Sequence, residues 1–512
     1  MSAARAGAVV EFAPISQGSS LRWRDLPAWP VEAFVDATSD ELDHGARLCA
    51  WFGVSDDRGV VLVAVLAYDA ENMLAVARSE AVTSSYPALT PRHAQAHLFE
   101  REVWEQHGLV PEGHPWLKPV RLDHGGGPAV GDFFRVEGHE VHEVAVGPVH
   151  AGIIEPGHFR FQCAGEEVLH LEIALGFQHR GVEEAILGGP HRATAIQIET
   201  VAGDSTIAHA TAYASVLEAL AGTGEGIDTG AVAGTEPPLR AQWLRAIALE
   251  LERLANHTGD LGALAGDIAY LPTSAACGKI RGDFLNLTAL ITGSRFGRGL
   301  VRPGGVRRDM ELDTGRAAAL RDDLRVAMAE VREAAAWLWS DSSVRARFEG
   351  TGVVSRETAD EIGLVGPAGR ACGLVRDARF DHPAGWYRFA QVPVSVWPGG
   401  DVLARTQVRW LEIQRSGAYL EEQLAAPPED DLAISVGPPA PDSIAVSLVE
   451  GWRGEVCHVA VTDGAGRFRR YKIVDPSFHN WTGLALALRG QAISDFPLCN
   501  KSFNLSYCGF DL

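Results

Sequence analysis

Between residues 155 and 209 the chain concentrates groups able to move protons: Glu155, His158, Arg160, His179, Arg180, Glu183, Glu199, Asp204 and His209. Carboxylates and imidazoles in a low-dielectric cavity have displaced pKa values and can relay protons. The same residues also have structural roles open to them. Arg180 and Glu183 stand at helical spacing, which reads first as a fixed ion pair. His179 and His209 serve equally well as hydrogen-bonded core residues.

Thiolate chemistry has less support. The seven cysteines (Cys49, Cys163, Cys277, Cys372, Cys457, Cys499 and Cys508) are odd in number and none forms a Cys-x-x-Cys pair. That pattern argues against a disulfide framework, a zinc ribbon or a self-contained iron–sulfur site, and most of these thiols read as small buried hydrophobes. No Gly-x-Gly-x-x-Gly fingerprint follows a strand, so no nicotinamide site is expected.

The elements that must position these groups fall into three stretches. The first runs to about residue 120 and mixes β-rich runs (47–54, 60–68) with a helical segment over 93–107, which suggests a small α+β domain. A glycine-rich break at 123–128 follows, and strand-like alternation returns at 140–146 and 159–173. From about residue 180 the pattern is helical. Over 238–259, Trp243, Leu244, Ile247, Leu251 and Leu254 recur at three- and four-residue spacing, and 314–338 reads as a second helix. The stretches 221–238 and 427–442 read as surface loops. The glycines of 302–306 shape a turn, and Asp475-Pro476-Ser477-Phe478 reads as a turn that either ends a strand or borders the cavity. The fold expected is α+β: a small domain over 1–122, a linker over 123–139, and over 140–512 a β-rich collar feeding a mainly helical core.

Composition bounds the setting. With 46% apolar and 22% charged residues among 512, the chain is globular and long enough for more than one core. Its net charge of −21 disfavours nucleic acid as a partner. No apolar run is long enough to span a membrane or to serve as a secretory signal, so a cytoplasmic location is expected.

Three groups of motifs carry a family resemblance. The first is Phe99-Glu100-Arg101-Glu102-Val103-Trp104, with Gly108-Leu109 and Gly113-His114-Pro115 behind it. It is similar to the signature of the small (30 kDa-type) subunit of respiratory complex I. The second comprises Gly147-Pro148-Val149-His150, Glu155-Pro156-Gly157-His158-Phe159-Arg160-Phe161 and Gly176-Phe177-Gln178-His179-Arg180-Gly181-Val182-Glu183. The third comprises Leu251-Glu252-Arg253, Arg302-Pro303-Gly304-Gly305-Val306 and Asp401-Val402 through Arg409-Trp410-Leu411-Glu412. Both resemble the large subunit of energy-converting, membrane-bound NiFe hydrogenases and the 49 kDa-type subunit of complex I. The chain thus resembles a fused small-plus-large subunit.

The resemblance implies four thiolate ligands for nickel and iron, since soft sulfur selects such metals. The matching positions here are Ala202, Ser205, Ser506 and Gly509, with Cys508 one place away. No nickel and no hydrogenase activity are therefore expected. Asp204, between two of these slots, introduces charge where the family has a small or apolar residue. In complex I the same cavity holds a quinone headgroup through a tyrosine and a histidine, and here Gly203 and Pro156 take those places. His150, His158 and His209 remain as candidate substitutes.

The implied function is the large subunit of a complex I-like or hydrogenase-related oxidoreductase that passes electrons to a quinone or another small acceptor, coupled to ion translocation. Its implied partners are an iron–sulfur subunit that carries the cluster and antiporter-like integral membrane subunits. It would sit on the inner face of the cell membrane, with Glu155, His158, His179, Arg180, Glu183, Asp204 and His209 relaying protons or lining the cavity. The alternative is a structural or proton-coupling subunit without its own redox substrate.

Overall fold

The computed structural model describes residues 11–123, 125–222, 231–309 and 312–512. His124 of the glycine-rich break and part of the loop expected over 221–238 lie outside the described residues. The N-terminal region is α+β, as its pattern suggested. The strands Arg47–Asp56, Gly59–Tyr68 and Met73–Val82 pair antiparallel, with Ala13–Ile15 on the outer edge. The helices Val31–Asp43 and His97–His107 pack on this sheet, and Phe34 stacks on Trp51 at 5.0 Å. The Val60–Ala67 run forms a strand because its β-branched side chains suit a sheet covered on both faces.

A three-stranded collar follows: Val141–Val146, His158–Ala164 and Glu167–Ala174. The stretch expected over 159–173 is thus two strands joined by a tight turn. The helical core is built from Leu239–Asp267, Leu271–Thr292, Thr314–Ser340 and Val402–Gln423. The first extends eight residues beyond the pattern that announced it. The 302–306 turn is architectural: a Cβ on Gly304 would meet the Ile434 carbonyl oxygen at 2.5 Å, and Gly304 has φ +84°.

The C-terminal region is not wholly helical. Ser443–Gly451, Gly454–Thr462 and Phe468–Val474 form an antiparallel sheet whose outer strand pairs with Ser19–Arg22 from the N-terminal region. Nearly every residue of the first two strands is buried, so neither shows the alternation of a half-exposed strand.

Charge also crosses this junction. Lys472 Nζ lies 2.6 Å from Glu102 and 3.1 Å from Glu183, and Arg121 donates to Glu102 at 2.6 Å. Burial alone would raise the Glu102 carboxyl, but Lys472 and Arg121 bring it down to about 2. Among the described residues no helix is long and apolar enough to cross a membrane.

Candidate functional site

Two chain segments, those in which the resemblance implies metal ligands, lie together. The first is the turn 202–205, which leads into the helix Thr206–Leu220; the Ser205 N–H donates to the Ala202 carbonyl at 2.9 Å. Glu252 caps that helix by accepting the Ile207 N–H at 2.7 Å. Burial raises the Glu252 carboxyl to about 8 even so. The second segment is 504–509. Ser506 caps the helix Tyr507–Asp511 by accepting the Gly509 N–H at 2.9 Å, while its own N–H donates to Ser477 Oγ at 2.8 Å.

A guanidinium joins the two segments. Arg453 forks onto Asp204 at 2.5 and 2.8 Å, donates through Nε to the Asn504 carbonyl at 2.6 Å, and lies 3.9 Å from the centre of the Trp452 ring. The Asp204 carbonyl accepts from Trp452 Nε1 and Asn256 Nδ2, each at 2.9 Å. Asn504 in turn donates to Asp260 at 2.5 Å, which also holds Arg409 at 2.6 Å. Planar bidentate pairing is the strong form of such contacts.

Ala202 and Gly509 offer no donor atom, and Ser205 and Ser506 offer only hydroxyls. All four are buried. The Gly509 position is already crowded: a Cβ there would lie 2.7 Å from Asp475 Cγ and 2.9 Å from Ser506 Oγ. Among the described residues, no group of three or more His, Cys, Asp or Glu side chains is arranged to hold a metal ion. Gly203 is different. It is exposed, and a Cβ on it would meet nothing within 4 Å.

The residues singled out in the sequence divide into three sets. Glu155, Asp204 and Arg180 gather at the mouth around Gly203. Burial raises the Glu155 carboxyl; Arg453 opposes that and Asp204 adds to it. Arg180 clasps the carbonyls of Thr200 (2.7 Å), Val201 (3.0 Å) and Cys508 (3.2 Å), tying the two segments a second time.

His209 stands behind the mouth, fully buried. Its Nε2 donates to Asp475 Oδ2 at 3.1 Å, and its Nδ1 lies 3.1 Å from His458 Nε2. The remaining residues are turned to other work. His158 packs on Phe133 and faces the Gly147 carbonyl at 3.3 Å. His150 meets the Gly157 carbonyl at 2.8 Å, and His179 the Asp511 carbonyl at 2.7 Å. Arg160 pairs with Glu143, and Glu199 accepts the Gly299 N–H.

The expected Arg180–Glu183 ion pair does not form. Glu183 accepts from Lys472 and from the Ile473 N–H at 2.9 Å, and Arg470 lies 3.1 Å from it. Helical spacing failed because the helix begins only at Val182, which leaves Arg180 outside it.

Contributors absent from the sequence reading are Arg453, Trp452, Asp260, His458 and Tyr471, whose hydroxyl lies 2.9 Å from His458 Nδ1. Asp475 was noticed only as part of a turn, and it does cap the helix Pro476–Ala487. Its second oxygen turns to His209. A signal for His458 existed, since an imidazole inside a run of buried β-branched residues needs a polar partner.

Comparison with known proteins agrees with this architecture. Residues 30–133 match the family described as the respiratory-chain NADH dehydrogenase 30 Kd subunit, and residues 267–437 and 431–511 match the 49 Kd subunit. Formate hydrogenlyase subunit 5 of Escherichia coli (strain K12) is 30% identical over 449 residues, covering 82% of this chain and 76% of that relative. The carbon monoxide-induced hydrogenase of Rhodospirillum rubrum is 28% identical over 366 residues, covering 70% of this chain and 96% of that relative. A chain of the membrane-bound sulfane sulfur reductase, an archaeal respiratory membrane complex, superposes with a TM-score of 0.65 at 24% identity, covering 73% of this chain and 99% of that one. The chain therefore belongs to the family that unites the complex I 49 kDa-type subunit with the large subunits of membrane-bound hydrogenases, here fused behind a 30 kDa-type domain.

Proposed function

We propose that this chain is the catalytic-arm large subunit of a membrane-associated, complex I-like oxidoreductase that works without a NiFe centre. Electrons come from a cluster in an iron–sulfur partner subunit and go to a quinone or another small acceptor at the Gly203 mouth. Antiporter-like membrane subunits couple that transfer to ion translocation, and the chain itself sits on the cytoplasmic face. The observation that carries the reading is the Asp204–Arg453–Asn504 link, which draws together the two segments that thiolates and metal would otherwise join.

The NiFe group does not fit these residues. Low-spin iron and nickel need soft sulfur donors, whereas the slots supply a methyl group, two hydroxyls and no side chain at all. The position offered for an acceptor is Gly203, which by the resemblance takes the place of the family's tyrosine; it is exposed, and an added Cβ would meet nothing within 4 Å. Around it stand Glu155 and Asp204, with His209 and Asp475 behind as groups that hold and move protons.

The test is to purify the tagged chain from gently solubilised native membranes, identify what accompanies it and measure bound metal. The expected result is an iron–sulfur subunit, multi-span antiporter-like subunits, iron, and nickel far below one per chain. Recovery of the chain alone overturns the coupled-complex reading, and stoichiometric nickel overturns the loss of the metal centre. A second reading, a structural or proton-coupling subunit, draws on the engagement of Arg180 and Arg453 with protein groups. It predicts that quinone analogues leave the potential of the partner's cluster unchanged.

A further inference from the structure

Behind the mouth, four side chains from three elements form an unbroken polar line through the core. Asp475 Oδ1 accepts the Ser477 N–H at 2.8 Å, and Oδ2 faces His209 Nε2 at 3.1 Å. His209 Nδ1 faces His458 Nε2 at 3.1 Å, and His458 Nδ1 faces the Tyr471 hydroxyl at 2.9 Å. None of the four is more than 1% exposed. We propose that the His209–His458 pair, opening toward the mouth through Asp475, is a one-proton store. The inference rests on the acceptor reading above and gives that acceptor its proton source.

Hydrogen-bond directions follow from the carboxylate, which can only accept. With His209 donating through Nε2, its Nδ1 must accept. His458 then donates through Nε2 and accepts from Tyr471 through Nδ1. A second set of directions, with each ring's proton on Nδ1 and the Tyr471 oxygen accepting, leaves His209 Nε2 without its hydrogen, so it needs a further proton on that nitrogen or on Asp475. The added proton rests on His209, as an imidazolium against Asp475.

Delivery reverses the uptake. The His209 Nε2–H bond breaks, the proton moves to Asp475 and then to a carbonyl oxygen of the acceptor, where an O–H bond forms. The acceptor's two electrons come from the partner's iron–sulfur cluster and its second proton from water. Ser506 flanks Asp475 across Gly509, where an added Cβ would lie 2.7 Å from Asp475 Cγ and 2.9 Å from Ser506 Oγ. Ser506 Oγ is also 3.4 Å from Cys508 Sγ, which borders the mouth.

Other charged groups set the balance. Arg453 sits close enough to Asp475 to help lower it, and Asp204 lies at the start of the His209 helix. Glu252 caps that helix from the helical core, and Tyr213 packs on Tyr471 at 6.2 Å. Burial and the His209 ring push His458 well below the usual imidazole range, and His209 is the ring that faces the Asp475 carboxylate.

The test uses the full chain labelled with 15N histidine, with ring nitrogens followed by NMR from pH 5 to 9. His209→Asn and His458→Asn assign the two signals. The expected result is a joint titration in which one imidazolium appears as the His458 ring changes tautomer. Asp475→Asn should abolish the imidazolium, and Tyr471→Phe should shift the joint titration by about one pH unit. Two rings that stay neutral with fixed tautomers overturn the proposal, as does a His209 titration unmoved by His458→Asn. Tyr471→Phe removes a single hydroxyl and serves where His458→Asn does not fold; an unshifted titration there also overturns it. The probe for the acceptor is decylubiquinone, added to the purified complex. A joint titration in the chain with no quinone reduction by the complex sinks the acceptor reading and leaves the store standing.

Discussion

The helical core and the Asp204–Arg453 pocket both bury guanidiniums against carboxylates, but they close differently. In the core, Arg253, Arg370 and Arg379 share Glu250, Asp377, Glu412 and Glu450, and no side chain of the set is more than 2% exposed. His257 adds a further contact to Glu412 at 2.7 Å. In the pocket, Arg453 is 6% exposed but its partner Asp204 is 34% exposed. The core lattice is sealed and self-contained. The pocket keeps one edge open to solvent, at Asp204. A sealed lattice serves rigidity, and an open edge allows exchange with solvent or ligand.

The largest effect should come from breaking the lattice at its hub. Burial pushes the Glu412 carboxyl up, yet Arg370, His257 and Arg253 hold it well below the carboxylate range. Glu412→Ala takes a shared carboxylate from Arg370 and Arg253, and the Nε2 partner from His257, in a dry interior where removing one partner costs about 3–5 kcal/mol. Chemical denaturation of the purified chain should show that loss. A cost under about 1 kcal/mol would mean that water reaches the lattice. Arg453→Ala should cost less, about 1.5–3 kcal/mol, because Asp204 regains solvent when its partner goes. The same measurement orders the two, and equal costs would erase the distinction between sealed and open.

A pH dependence distinguishes the regions in another way. Glu252 sits between them and is raised to about 8 by burial. A carboxyl with a raised folded pKa binds more protons folded than unfolded, so stability falls as pH rises from about 4.5 to 8. Glu252→Gln keeps an acceptor for the Ile207 N–H and removes the titration. The slope of stability against pH over that window should flatten by up to about 1.4 kcal/mol per pH unit. An unchanged slope would assign the dependence to another group, such as Glu450, which burial raises to about 7.

The chain's sequence announced its architecture better than its contacts. The β-rich runs at 47–54 and 60–68 and the period-3.6 pattern at Trp243–Leu254 are local properties, and they located the N-terminal sheet and the first core helix. The strands of 443–474 hid because residues buried on both faces leave no alternation to read. The core helix Leu271–Thr292 hid because Gly278 and Gly282 interrupt its pattern. At the site, family motifs pointed to Asp204 and His209, but their partners Arg453, Asp475 and His458 lie about 250 residues away in the chain. Spacing along a chain carries no information about such meetings. The Arg180–Glu183 pair failed for the complementary reason: the residues were near in sequence, yet only one of them is helical.

The finest comparison lies between two glycines of the pocket. Gly509 abuts Asp475, whose carboxylate is pinned by His209 and by the Ser477 N–H, so an added methyl group finds no room. Gly509→Ala should cost about 1–3 kcal/mol through overpacking. Gly203 faces open space, and Gly203→Ala should stay within about 0.5 kcal/mol of the parent. Thermal unfolding of both variants in parallel provides the measurement. If Gly203→Ala proves as damaging as Gly509→Ala, the mouth is packed in solution and cannot admit an acceptor without rearrangement. If Gly203→Ala is neutral for stability but weakens quinone reduction by the complex, the methyl group stands where the headgroup binds.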